Sequence, residues 1–167
     1  MSQAKIIMLS GAALAVLAGA YVNLNIGGAT LEPQLQAAQE KSAGALVEVF
    51  KTPTCGCCMQ WVEHLRKNGF TVRTTDMNDL SQIKKSRGVP DTVQSCHTAV
   101  VNGYVVEGHV PAADIHRMLK EKPAIAGIAA AGMPIGSPGM DYPGTTAQPY
   151  DVMSFDKNGA TRVFAKH

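Results

Sequence analysis

Three cysteines fall within four residues, Cys55, Cys57 and Cys58, in the stretch VEVFKTPTCGCCMQWVEHL. They lie where one kind of local structure gives way to another. Ala45–Phe50 is β-branched and alternating enough for a strand, and Thr52-Pro53-Thr54 breaks it. Cys58, Trp61, Val62 and Leu65 then recur at i, i+3, i+4 and i+7, one face of a helix that Asn68-Gly69 stops. A strand feeding a cysteine turn at a helix N-terminus limits what can follow. At such a terminus unpaired N–H groups and the helix dipole favour thiolate over thiol.

The rest of the pattern completes an alternating α/β order. Phe70–Thr74 reads as a second strand and Asp79–Ser86 as a second helix, ended by Gly88 and Pro90. Thr98–Val101 and Tyr104–Glu107 flank Asn102-Gly103, a strong hairpin signal. Pro111 opens a last helix with Ile115, Met118 and Leu119 inward and Pro123 beyond its end. The order β-α-β-α-β-β-α with cysteines at the first helix predicts a thioredoxin-like domain. The strand order within the sheet is not readable from the pattern. GIAAAGMPIGSPGMDYPG is too dense in Gly and Pro for a long element and reads as an ordered covering loop. Val152–Phe155 and Thr161–Ala165 close the chain as a hairpin around Asn158-Gly159.

The opening residues predict export. One lysine precedes an apolar run from Ile6, and Ala18-Gly19-Ala20 fits a small-x-small cleavage site. Residues 1–20 are therefore expected to be a signal peptide, residues 21–44 a linker, and residues 45–167 the folded domain. An uncleaved membrane anchor facing the periplasm is the alternative, because the apolar character continues through Tyr21 to Ile26. With a net charge of +2 and no long basic run, the composition argues against a nucleic-acid partner.

Three crowded thiolates repel one another unless a cation sits among them. Soft thiolate and thioether sulfur selects Cu(I), and sulfur can bridge two metals. The fourth cysteine, Cys96, precedes a core strand in Gln94-Ser95-Cys96-His97-Thr98. In a thioredoxin-like fold that loop faces the first cysteine turn, so the four sulfurs are expected to converge. A disulfide from Cys96 to one of the trio is the alternative. His97 is a candidate ligand if the loop is irregular, since neighbours on a strand point to opposite faces. His109, before the last helix, reads equally as a cap or an outer ligand. Met133 and Met140 lie in the covering loop as candidate thioether ligands for an entry site, or as packing. His64 and His116 read as surface residues.

Taken together, CGCC after a first strand, SCHTAVVNGYVVEGHVP and GMPIGSPGMD resemble the CopG-type periplasmic copper-resistance proteins from about Ala45 to the C-terminus. The resemblance implies a thioredoxin-like fold and a tetranuclear copper cluster bridged by cysteines, carried here by Cys55, Cys57, Cys58 and Cys96. It implies copper handling, with interconversion of Cu(I) and Cu(II), and several Cu(I) ions as the bound metal. The expected partners are copper ions and periplasmic copper carriers or efflux components. Two other functions compete. A thiol–disulfide oxidoreductase would use Cys55 as attacking thiolate and Cys58 to resolve, although Cys57 lies between them. A structural zinc site fits less well, because zinc ligands usually come as two separated pairs.

Overall fold

The computed structural model describes residues 44–167. The leader and the linker expected over residues 1–20 and 21–44 lie outside the described residues, apart from Gly44. Among the described residues no helix is long and apolar enough to cross a membrane.

The fold is mixed α/β. Seven strands form one sheet: β1 (Leu46–Lys51), β2 (Thr71–Asp76), β3 (His97–Val101), β4 (Tyr104–Gly108), β5 (Gly127–Ala130), β6 (Asp151–Phe155) and β7 (Thr161–Lys166). Their order is β2-β1-β3-β4-β5-β6-β7. The β1/β2 and β4/β5 pairs are parallel and the others antiparallel. Among the described residues there are also three helices, α1 (Gly56–Lys67), α2 (Ser81–Ser86) and α3 (Ala112–Glu121), and a 3₁₀ turn at Asp91–Val93.

Strand alternation sorts side chains onto two faces. On one face Val47, Val49, Ala99, Val101, Val106, Ile128 and Val152 meet Trp61, Val62 and Leu65 of α1 and Ile115 and Met118 of α3. On the other, Val105, Ala129 and Phe155 meet Val89 and Val93 beside the 3₁₀ turn. The sheet is thus covered on both sides, with the larger core under α1 and α3. Trp61 is fully buried and its indole N–H donates to the Val110 carbonyl at 2.8 Å. That bond ties α1 to the loop leading into α3.

Most expected elements form. The helix face of Cys58, Trp61, Val62 and Leu65 is the buried one. Asn102 and Gly103 both take left-handed φ, 47° and 85°, as a tight hairpin turn requires. The second strand starts and ends later than Phe70–Thr74, and α2 is shorter than Asp79–Ser86, because Asp79 instead accepts hydrogen bonds from the backbone and hydroxyl of Ser81.

One strand was not foreseen. Gly127-Ile128-Ala129-Ala130 pairs in parallel with β4 and antiparallel with β6, so the closing hairpin continues the main sheet. All four residues are buried. A short strand buried on both faces shows no alternation, and small residues give it little β signature. Its first residue must be glycine: a Cβ on Gly127 would lie 2.3 Å from the Val105 carbonyl oxygen and 2.7 Å from the Phe155 ring.

Replacing Trp61 by Phe is expected to lower unfolding free energy by about 1–3 kcal/mol from the unpaired buried carbonyl alone. The midpoint of urea denaturation measures it.

Candidate metal centre

Cys55 is the N-cap of α1, and its sulfur accepts the backbone N–H of Cys58 at 3.3 Å. The turn therefore folds its own thiols onto the helix N-terminus. Cys55 and Cys58 are joined as a disulfide, with Cα atoms 5.3 Å apart, and Cys57 and Cys96 are free. The pairing is not the Cys96 disulfide considered above. Cys57 Sγ lies 3.5 Å from Cys55 Sγ, and Cys96 Sγ lies 3.6 Å from Cys58 Sγ. All four sulfurs fall within 4.8 Å of one another, which is compact enough to share bridging metals.

The β1/β3 register brings Cys96 there. Lys51, the last residue of β1, stands opposite His97, the first of β3. The chain leaving β1 toward Cys55 and the chain entering β3 from Cys96 are therefore neighbours. Cys96 precedes the strand, so alternation does not bind it to point away from His97. His97 Nδ1 is 3.3 Å from Cys96 Sγ, and His109 Nε2 is 3.0 Å from it. Sulfur and the two imidazoles form a second donor group overlapping the first at Cys96.

Both imidazoles are fully buried. His109 Nδ1–H donates to the Pro138 carbonyl at 2.8 Å. A carbonyl only accepts, so the proton belongs on Nδ1 and the Nε2 lone pair faces Cys96. His97 packs against the Trp61 ring at 4.3 Å between centroids, and its Nε2 has no hydrogen-bond partner among the described residues. Burial, then the nearby His109 and Lys84, holds His97 well below the ordinary histidine value. Burial likewise lowers His109. Both rings are thus held neutral, the form that ligates a metal. Burial, reinforced by the neighbouring Cys57, pushes the Cys96 thiol up to about 12. A cation would supply what this thiol lacks, since metal coordination deprotonates it.

The Gly/Pro-rich segment does cover the site. Gly132 N–H donates to the Gln94 carbonyl at 3.1 Å, and the Ser95 hydroxyl donates to the Gly132 carbonyl. Farther along, Gly139 rests on the first turn of α1. A Cβ there would come within 2.8 Å of both the Cys57 carbonyl oxygen and the Trp61 nitrogen, and its φ is +84°. Met133 is 53 % exposed and so does not plug the core. Met140 is half-buried, its sulfur accepting from the Tyr142 hydroxyl at 3.7 Å.

One sequence expectation changes. His64 is not a free surface residue: its Nε2 accepts the backbone N–H of Ala112 at 3.1 Å and caps the start of α3. His167 has a structural partner, Asp114, at 2.7 Å. Sequence reasoning also passed over Lys84 and Glu107, a buried ion pair behind Cys96 at 2.5 Å. Burial pushes Glu107 up while Lys84 pulls it back. A signal existed, since a glutamate in the otherwise apolar Tyr104–Gly108 strand needs a partner, but the partner's position is not local.

A family model described as a protein of unknown function, DUF411, matches residues 93–140. Two solved structures, named copper resistance protein CopG in forms 1 and 2, are each 42 % identical, with a TM-score of 0.70. The match covers 74 % of this chain and 98 % of each of theirs. The chain belongs to the CopG family. No curated protein matches it. The segment matched by the family model, residues 93–140, contains Cys96, His97 and His109 but not the CGCC turn.

In the metal-free protein with Cys55 and Cys58 bonded, Cys96 is expected to alkylate slowly at pH 8. Its rate should rise on the order of 10²–10³-fold when urea unfolds the chain, because a thiol near 12 is almost wholly protonated there. Mass-mapped iodoacetamide labelling reads it.

Proposed function

We propose that the protein is a periplasmic copper-binding protein of copper resistance, holding several Cu(I) ions among Cys55, Cys57, Cys58 and Cys96 and interconverting Cu(I) and Cu(II). The observation that carries this is the convergence of four sulfurs, one of which, Cys96, also meets two buried imidazoles whose basicity burial lowers. Thiolates suit Cu(I), and the nitrogens of His97 and His109 suit Cu(II), so the overlap at Cys96 offers both oxidation states a coordination shell. The names of the 42 % identical relatives support copper resistance as the setting. The Ala18-Gly19-Ala20 leader supports export, and the β2-β1-β3-β4 portion of the sheet supports the thioredoxin-like reading. Copper carriers or efflux components would deliver and receive the metal.

The bonded Cys55–Cys58 pair favours a second reading, a thiol–disulfide oxidoreductase. Cys55 is half-exposed and Cys58 buried, the asymmetry expected of an attacking and a resolving thiol. The two readings differ in what reduction achieves. Anaerobic titration of Cu(I) into protein reduced with a phosphine should give several tightly held ions per chain, and fewer into the disulfide form. Cys96→Ser should lower the number held. Equal, weak binding in all three, together with rapid exchange against a small dithiol, would favour the oxidoreductase.

Met133 and Met140 are proposed as a port. Thioethers are neutral and hold Cu(I) loosely enough to pass it on. Met133→Leu with Met140→Leu should keep the fold and the tightly held copper, because Leu matches Met in volume. Stopped-flow uptake of Cu(I) should slow; unchanged uptake would overturn the port.

A further inference from the structure

The face of the sheet opposite the metal centre carries a polar cluster with no role in the chemistry described so far. Glu107 is fully buried on β4. One carboxylate oxygen accepts the backbone N–H of Ser95 at 2.7 Å and the Lys84 ammonium at 2.5 Å. The other accepts the Thr98 hydroxyl at 2.7 Å, and Lys84 also donates to Thr98 Oγ1 at 3.1 Å. Ser95 and Thr98 are the residues on either side of Cys96-His97. One carboxylate therefore grips the chain immediately before and immediately after two of the donors, from a strand that delivers a third, His109, two residues later.

We propose that Glu107 is a positioning residue for the metal centre, and that Lys84, bonded to both Glu107 and Thr98, holds its carboxylate in place. Cys96 lies outside regular pairing, between the isolated Ser95–Gly132 bridge and the first residue of β3. Without the carboxylate its amide neighbour loses a buried acceptor and its sulfur gains freedom relative to His109. A buried ion pair is weak support for stability, since an apolar pair of similar volume often serves as well or better. Its geometry here serves placement of the Cys96-His97 dipeptide.

The inference rests on reading Cys96 and His97 as donors, and the test separates the two ideas. Lys84→Met with Glu107→Gln keeps an oxygen for Ser95 N–H and an amide that can donate to Thr98, without charge. Lys84→Met with Glu107→Leu keeps the volume and removes both grips. Both are first checked for cooperative urea unfolding. In metal-free protein, alkylation of Cys96 should match the parent in the Gln variant and run about ten-fold faster in the Leu variant, the scale of one buried hydrogen bond lost. Copper loaded anaerobically should stay in the Gln variant and leak to a chelator faster from the Leu variant. Equal labelling in two folded double variants overturns the proposal. Should the Leu variant not fold, Thr98→Val, which removes one grip only, decides: faster Cys96 labelling supports the bracket and unchanged labelling overturns it. A parent that holds no copper, with the labelling difference intact, would refute the copper reading and leave the bracket standing.

Discussion

The antiparallel register of β1 and β3 is the constraint on which the centre depends. With Lys51 opposite His97, the end of one strand and the start of the other finish at the same edge of the core. All four cysteines lie just past that edge. Cys55 leaves β1 across a four-residue turn, and Cys96 enters β3 with no spare residue between. A slip of one residue would turn the His97 ring away from Trp61 and swing the cluster apart. The register is itself held by the core, because Val47, Val49, Ala99 and Val101 all face α1 and α3 and none can move to the solvent side without exposing apolar surface.

The inner part of the site is also dry. His97 and His109 have no exposed surface, and Cys58 has none. Burial disfavours charge on His97, His109 and Cys96, which is why the imidazoles stay neutral and the Cys96 thiol stays protonated in the absence of metal. The donors are gathered at a cost that a soft cation offsets. Covering the cysteine turn with a loop, rather than leaving it open, raises both the cost and the gain.

Much of this was legible in the chain. Periodicity located the helix face of Cys58, Trp61, Val62 and Leu65 because that face is apolar and continuous. Asn102-Gly103 located the central hairpin because only left-handed residues close so tight a turn. The convergence of Cys96 with the CGCC turn could be expected from the order of elements. What could not be read depends on pairing between distant segments. Gly127–Ala130 is a strand only because β4 and β6 flank it, so no local pattern marks it. That His97 meets Cys96 is hidden because Cys96 lies one residue before the strand begins, where alternation no longer applies. Lys84 and Glu107 are 23 residues apart in the sequence and meet only across a folded interface. The cap made by His64 and the pairing of Asp114 with His167 are hidden for the same reason.

The loop over the centre is fixed almost wholly by main-chain atoms. Its amide and carbonyl at Gly132 meet Gln94 and Ser95, its carbonyl at Pro138 meets His109, and at Gly139 it lies against backbone where no side chain fits. The side chains of Met133 and Met140 hold none of these anchors. Address and content are therefore written in different residues: glycines, prolines and backbone say where the loop goes, while the side chains of Met133 and Met140 can change without moving it. A chain built this way can alter how its donors are screened or supplemented, one side chain at a time, on a scaffold that does not shift.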